Sequence, residues 1–357
     1  MKEKILALIF GGPSAEHEVS IQSAKSILAA IDRNKYKLIF IGIDRKGRWF
    51  SLPEKIAVAF LQSASPGTSL TDCRMLPKKP LRVDVMTLKK DFGVDVAFPI
   101  IHGPFGEDGT IQAILKTAGI PFVGSDVLSS AACMDKDIAK RLLREAGIPT
   151  ARGLVYQAHE AKNISFAVVK KTLGLPLFVK PANMGSSIGV SKVLNEIEFN
   201  AALKTAFRYD GKVVVEEGII GREIECAVLG TEAPRASLPG EVIAQKDFYS
   251  YDAKYISADG AILKIPAQLP KSIITKIQKA AIRAYETLGC AGLARVDFFL
   301  KQNGELVVNE INTVPGFVAG VSMYPMLWKA SGLPFAKLID LLIRYALERQ
   351  RKTERLF

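Results

Sequence analysis

Along the first third of the chain, apolar residues recur in two alternating rhythms. Residues 5–10 form a continuous apolar run that ends in Gly11-Gly12-Pro13, as a buried strand does. Val19, Ile21, Ala24, Ile27, Leu28 and Ile31 then recur at helical spacing. Residues 37–43 and 94–101 read as further strands, 107–118 as a helix between two glycines, and 120–123 as a short strand. This β-α-β alternation predicts an open parallel sheet with helices on its faces. The polar, irregular stretch from about 60 to 80 reads as an insertion.

Beyond this point the pattern mixes. Residues 134–146 predict a basic amphipathic helix with Met134, Ile138, Leu142 and Leu143 on one side, stopped by Gly147-Ile148-Pro149. Strands are expected at 177–180, 189–193 and 213–217, with a Gly/Ser loop at 185–189 and a helix near 195–208. The last third opens with Glu223 and Glu225 alternating with Ile224, Cys226 and Val228. A loop-rich aromatic segment at 247–258, a helix over 270–288 and a strand pair within 292–312 follow. Residues 344–355 read as a helix with five basic and two acidic residues. The fold class is therefore α/β, with α+β character in the C-terminal two-thirds.

A length of 357 residues suggests two or three domains. No apolar run reaches the roughly 18 residues of a membrane span. The six apolar residues near the N-terminus are too few for a signal-peptide core of about 7–15. A cytoplasmic location is the expectation. Cys73, Cys133, Cys226 and Cys290 lie at least 60 residues apart, form no CxxC pair and read as core fillers. His159 reads as a surface residue. The net charge of +12 admits nucleic acid, anionic membrane, a polyanionic small ligand, or solubility alone.

The strand pair near the C-terminus narrows this choice. Ala294, Val296 and Phe298 face one way, and Arg295, Asp297 and Phe299 the other. Asn303-Gly304 is a preferred two-residue hairpin turn. Centred there, opposed residue numbers sum to 607, so Asp297 faces Glu310 and Arg295 faces Asn312. Two carboxylates directly across a ladder repel, which calls for a cation between them. Two acids on a solvated face would explain the pair alone. That reading weakens once Arg295, Asn312 and the turn Thr313-Val314-Pro315-Gly316 join the same edge. Hard oxygen ligands suit Mg²⁺ rather than Zn²⁺, and Mg²⁺ usually completes its shell with water and substrate phosphates. A nucleotide is the implied ligand.

The loop after Lys180-Pro181, with Gly185-Ser186-Ser187, suits phosphate through its backbone N–H groups, hydroxyls and one lysine. Lys136, opening the helix before it, is a second candidate phosphate lysine. Residues 213–217, Gly218, Gly221 and Glu223 read as a nucleotide hinge, with Glu223 placed for ribose hydroxyls. Gly11-Gly12-Pro13-Ser14-Ala15-Glu16-His17 and His102-Gly103-Pro104-Phe105-Gly106-Glu107-Asp108-Gly109 both run from a strand into a helix. In an open α/β sheet both lie at the ligand-binding carboxyl edge. A helix N-terminus there suits a carboxylate and Glu16 an ammonium, so together they would hold an amino acid.

These motifs, with Met134-Asp135-Lys136, Tyr251-Asp252-Ala253-Lys254-Tyr255, Arg295-Val296-Asp297 and Asn309-Glu310-Ile311-Asn312-Thr313, resemble in order the D-alanine–D-alanine ligase family of ATP-grasp enzymes. The resemblance spans nearly the whole chain. It implies an N-terminal substrate domain at 1–125, a central ATP-grasp subdomain at 126–219, and a C-terminal one at 220–357 with a mobile loop at 247–258. It also implies the reaction. ATP phosphorylates one D-alanine, the amine of a second attacks the acyl phosphate, and ADP and phosphate are released during cell-wall precursor synthesis. By position, Lys136, Lys180, Ser187, Glu216, Glu217, Ile219, Glu223 and Lys254 would hold ATP. Asp297, Glu310 and Asn312 would bind two Mg²⁺, with Mn²⁺ a substitute. Glu16 and His102 would meet the first D-alanine. Arg295 and the Gly316 N–H would stabilise the oxyanion, and Ser186, Glu16 and Tyr255 would pin the loop. Ser322, one residue later than the family's usual serine, and Met323 would receive the second carboxylate. Tyr255 favours peptide over the D-alanyl-D-lactate ester. A homodimer is implied.

Other classes fit less well. Another ATP-grasp carboxylate–amine ligase is the nearest alternative. No GxGxxG follows the first strand, against a dinucleotide dehydrogenase. The one dense basic patch, the tail, is diluted by acids and lacks the interleaved aromatics of a nucleic-acid surface. Neither nucleic acid nor membrane is an expected partner.

Overall fold

A computed structural model describes residues 3–72, 82–244 and 261–355 of the chain. In the N-terminal part, β1 (Lys4–Gly11), α1 (His17–Ala30), β2 (Tyr36–Ile43), β3 (Trp49–Leu52), α2 (Glu54–Ser63), α3 (Leu88–Phe92), β4 (Val96–Pro99) and α4 (Thr110–Thr117) follow one another. The sheet order is β3-β2-β1-β4, with β1 parallel to β2 and β4, and β3 antiparallel at the edge. β1 reads as an unbroken apolar run because both of its faces are covered. Leu6, Leu8 and Phe10 pack with Ile21, Ala24 and Ile27 of α1, while Ala7 and Ile9 pack with Ile111 and Leu115 of α4. The expected strand at 120–123 is a single bridge between Ala97 and Phe122. The polar stretch expected from about 60 begins inside α2, an element the pattern misses.

The predicted helix over 134–146 is α6 (Lys136–Glu145), and a separate helix that the pattern misses, α5 (Val127–Met134), precedes it. They break at Asp135, whose carboxylate accepts the N–H groups of Asp137 and Ile138, both at 3.1 Å. The expected apolar side of the predicted helix is only partly buried, with Met134 and Leu143 enclosed. Ile138 and Leu142 are 39% and 42% exposed, while Lys136, Asp137 and Lys140 are buried. The charged side faces inward, toward the cleft described below. α5 and α6 contribute Cys133, Ala139 and Leu143 to the core beneath the C-terminal sheet.

The central part comprises β5 (Gly153–Gln157), α7 (Phe166–Leu173), β6 (Leu177–Pro181), β7 (Ser191–Val193), α8 (Glu196–Ala206) and β8 (Lys212–Glu217). Its strands are antiparallel in the order β5-β8-β6-β7. Leu177, Val179, Val213 and Val215 pack against α7 and α8 on one face. By the period of two, Lys180 and Glu216 lie on the other.

The C-terminal part comprises β9 (Arg222–Gly230), β10 (Arg235–Ala236), β11 (Gly240–Ala244), β12 (Ala261–Lys264), α9 (Lys271–Thr287), β13 (Gly292–Leu300), β14 (Leu306–Asn312), α10 (Met323–Ala330) and α11 (Phe335–Glu354). The sheet runs β12-β11-β9-β13-β14, antiparallel throughout, with β10 on β9. One face packs on Ile277, Ala281 and Tyr285 of α9. The other shares a core with the N-terminal sheet, where the Phe98 and Phe317 rings lie 5.8 Å apart. Within α11, Arg349 donates to the Gly124 and Phe122 carbonyls, at 2.5 and 2.9 Å, and covers the Phe122 ring. Part of the basic tail therefore has a structural task beyond solubility.

Candidate active site

Registers put the predicted metal edge where expected, by an unexpected route. Asp297 pairs with Glu310 and Arg295 with Asn312. The connection is not a two-residue turn, however. β13 ends with Leu300 opposite Leu306, and residues 301–305 form the loop, closed by Lys301 N–H to the Glu305 carbonyl at 2.9 Å. A bulge between Asp297 and Phe298 then shifts the ladder by one residue and restores the expected pairing. On its other side Asp297 pairs with Glu225 of β9, and Phe299 with Glu223. One sheet face thus carries Glu223, Glu225, Asp297 and Glu310. Arg295 answers them with a fork to Asp297 at 2.6–2.7 Å and a contact to Glu225 at 2.9 Å.

Across the cleft stands the opposite charge. Lys136, Lys140 and Lys180 are all buried, at 8%, 4% and 8% exposure, as is Glu216 at 3%. Lys140 bonds one Glu216 oxygen, and Lys180 lies 2.6 Å from the other. Burial alone would raise the Glu216 carboxyl, but the two ammoniums outweigh it and hold it at about 2. Burial and the neighbouring Lys180 pull Lys140 down to about 8 against the attraction of Glu216. One carboxylate serves two ammoniums, so the excess positive charge falls on the lysines. The Lys136 ammonium donates to the Met184 carbonyl and its N–H to the Ala182 carbonyl at 3.0 Å, which ties α6 to the Gly/Ser loop. Three buried lysines gathered around Glu216, with Glu310 and Glu107 acting on Lys136 from nearby, form a site suited to a polyanion.

The loop itself is held in an uncommon shape, since Ser186 and Ser187 both have left-handed φ angles of 53° and 59°. The Ser186 hydroxyl donates to Glu16, which sits just before α1. A side chain on Gly103, whose φ is 72°, would begin 2.7 Å from the other Glu16 oxygen, and one on Gly185 would begin 3.3 Å from it. Three glycine-bearing motifs, far apart in sequence, therefore meet around one carboxylate. Ser14 fastens two of them by donating to the His102 carbonyl at 2.7 Å.

His102 is 2% exposed, and burial holds its imidazole below the ordinary pKa. Its Nδ1–H donates to the Val314 carbonyl at 2.9 Å, so Nε2 accepts from the Ser23 hydroxyl at 3.0 Å. The neutral ring braces the Thr313–Gly316 turn. Near it, Glu107 accepts from the Gly103 N–H at 3.0 Å. Burial and the charge of Glu16 push that carboxyl up to about 8. A crevice lined by Glu107, Lys136, Gly185, Glu310 and Asn312 joins these clusters. A more apolar hollow of about 170 Å³ behind β13 and β14, around Ile148, Ala280 and Leu306, carries none of the candidate residues.

At the far end, a side chain on Gly316 would begin 2.9 Å from the Ser322 hydroxyl, which would have to shift. Ser322 precedes α10, whose first residue is Met323, and accepts the Val318 N–H at 3.0 Å. The Glu217 side chain turns to Arg152 at 2.6 Å, and Ile219 lies in the short connection from β8 to β9, where the nucleotide hinge is expected. Lys254, Tyr255 and the 247–258 loop lie outside the described residues. The sequence reading gives no role to Lys140, Glu107 or Glu225, each buried or half-buried at the site. Spacing held a signal for two of them: Lys140 is one helical turn after Lys136, and Glu225 shares a strand face with Glu223.

Residues 5–125 match the family profile described as D-ala D-ala ligase N-terminus, and residues 142–344 that of D-ala D-ala ligase C-terminus. The chain is 51% identical to D-alanine--D-alanine ligase A of Salmonella typhimurium, over 96% of each chain. Its fold is similar to that of the VanG D-Ala:D-Ser ligase from Enterococcus faecalis, with a TM-score of 0.85 at 37% identity over 97% of this chain and 100% of that one. It is also similar to D-alanine--D-alanine ligase from Bacillus anthracis complexed with ATP, with a TM-score of 0.74 at 29% identity over 98% and 99% of the two chains.

Proposed function

This chain belongs to the D-alanine–D-alanine ligase family, and from that premise we propose how its cleft joins two D-alanines at the expense of ATP. The observation that carries the assignment of roles is the crevice itself. It is lined by Lys136 from the buried lysine cluster and by Glu310 and Asn312 from the acidic sheet face, beside Gly185, which lies next to the Glu16 carboxylate.

A carboxylate is a poor acyl donor because its leaving group would be oxide. Phosphorylation by ATP supplies a good one, and the amine of the second D-alanine then displaces phosphate. Lys136 and Lys180, with Ser187, meet the phosphates. Glu216 and the hinge that includes Glu217 and Ile219 meet the base, and Glu223 the ribose. The family resemblance assigns Lys254 to the transferred phosphoryl group. Glu16, steadied by Ser186, takes the first ammonium, and the family resemblance assigns Tyr255 to the same set. His102 acts one step away, by bracing the turn that bears Gly316. Arg295 and the Gly316 N–H stabilise the tetrahedral oxygen, where preorganised donors gain most. Ser322 and Met323, at the start of α10, take the second carboxylate.

Asp297, Glu310 and Asn312 offer only hard oxygen donors, and the two opposed carboxylates fit a cation. They would hold two Mg²⁺, or Mn²⁺, which when bound offsets the charge on the transferring phosphoryl group. Among the described residues no helix is long and apolar enough to cross a membrane. We propose a cytoplasmic homodimer with D-alanine and ATP as its small-molecule partners.

Phosphate release from ATP tests the assignment, with D-alanine, L-alanine, D-alanine plus D-serine, or D-alanine plus D-lactate. Product mass identifies the second substrate. Release with D-alanine and formation of D-alanyl-D-alanine are expected. Equal rates with L- and D-alanine would sink the reading.

A further inference from the structure

Lys140 stands one turn along α6 from Lys136, so both project to the cleft side of the helix. It is 4% exposed, and its ammonium bonds the Glu216 oxygen that Lys180 does not use. Lys180, by contrast, spends its charge on Glu216, at 2.6 Å. A phosphate can claim Lys180 only if Glu216 is not left buried without a counter-charge, because an uncompensated buried carboxylate is strongly unfavourable.

We propose that Lys140 is a positioning residue that keeps Glu216 neutralised, so that Lys180 can leave the carboxylate for the triphosphate of ATP. The inference rests on the reading that Lys180 meets the phosphates, and goes beyond it by naming what frees Lys180 to do so. Lys140 itself touches no reacting atom. Its work is done through the pair Glu216–Lys180, as a reserve of charge that makes the exchange of partners possible.

Charge bookkeeping within the cluster yields a specific signature. In Lys140→Met, Lys180 becomes the remaining close partner of Glu216 and is held back from the ligand. In Glu216→Gln there is no carboxylate to neutralise, so the same removal of Lys140 matters little. The effect of Lys140 therefore depends on Glu216, which a double-mutant cycle measures.

The test uses the full chain with two probes, ATP and inorganic tripolyphosphate, by isothermal titration calorimetry, with the fold of each variant checked by circular dichroism. Lys140→Met is expected to weaken tripolyphosphate and ATP about tenfold or more, where tenfold is 1.4 kcal/mol. In steady state KM for ATP rises while kcat stays within about threefold, as expected for lost ligand binding without lost transition-state contact. Lys140→Arg restores binding. Lys140→Met/Glu216→Gln binds tripolyphosphate within about threefold of Glu216→Gln alone, and this comparison stands even if the single methionine variant does not fold. A tenfold loss from removing Lys140 in the Glu216→Gln background would overturn the proposal, because Lys140 would then contact phosphate directly. Binding unchanged in a folded Lys140→Met variant would overturn it as well. A wild-type chain that bound neither probe would remove the premise, and the proposal with it.

Discussion

Replacing Glu216 by glutamine deletes the carboxylate that Lys140 and Lys180 share, and the structure sets the size of the effect. The group is held at about 2 instead of the ordinary 4.5. At roughly 1.4 kcal/mol per tenfold, the folded protein favours its ionised form by about 3 kcal/mol. Glutamine also turns an NH₂ toward a lysine donor where an oxygen accepted before, which adds to the loss. Removing one partner of a buried pair costs about 3–5 kcal/mol in general, so the two estimates agree. The sign with pH follows from a depressed carboxyl. Its stabilisation is complete above pH 4.5 and is lost as the pH falls toward 2. Urea unfolding followed by circular dichroism should therefore find Glu216→Gln less stable by about 3 kcal/mol at pH 7. The gap to wild type should narrow at pH 3.5. A variant within 1 kcal/mol of wild type at pH 7 would refute the reasoning, as would a gap that does not shrink on acidification.

Three further predictions address the rest of the cleft. Glu310→Gln leaves one acid of the opposed pair and should cut ligation about 100-fold or more while circular dichroism is unchanged; activity near wild type would exclude the metal edge. Gly316→Ala places a carbon 2.9 Å from the Ser322 hydroxyl and should lower kcat about tenfold with KM for ATP unchanged, as steady-state kinetics would register. His102→Leu leaves the buried Val314 carbonyl without its donor and should cost roughly 1–3 kcal/mol by urea unfolding. Because burial depresses the imidazole, stability in wild type falls as the pH drops below its ordinary 6.5, and the leucine variant should lose that slope.

Much of this protein is determined by short-range pattern. The apolar run of β1, the helical spacing of α1 and the alternation along β13 follow from local periods of two and 3.6, which a linear reading detects. The Asp297–Glu310 pairing was also legible, though only because a bulge compensates for a longer loop than the Asn-Gly signal implies. The order of the glycine-bearing motifs around Glu16, Lys180 and Arg295 carried the family resemblance in sequence alone.

Tertiary structure decided what lies across the cleft. The inward-facing side of α6 is only partly legible, because apolar spacing marks Leu143 as buried but gives no sign of Lys136 and Lys140. That side also buries charge, since a carboxylate 76 residues away compensates Lys140. The tautomer of His102 is set by a carbonyl 212 residues along the chain, and the Glu16–Ser186 contact spans 170. Periodicity reports how one element divides between core and solvent. It is blind to which opposite charge or hydrogen-bond partner a distant element brings. Whether a buried lysine is a liability or part of a binding site is settled only by that partner, because burial penalises a charge until another group compensates it.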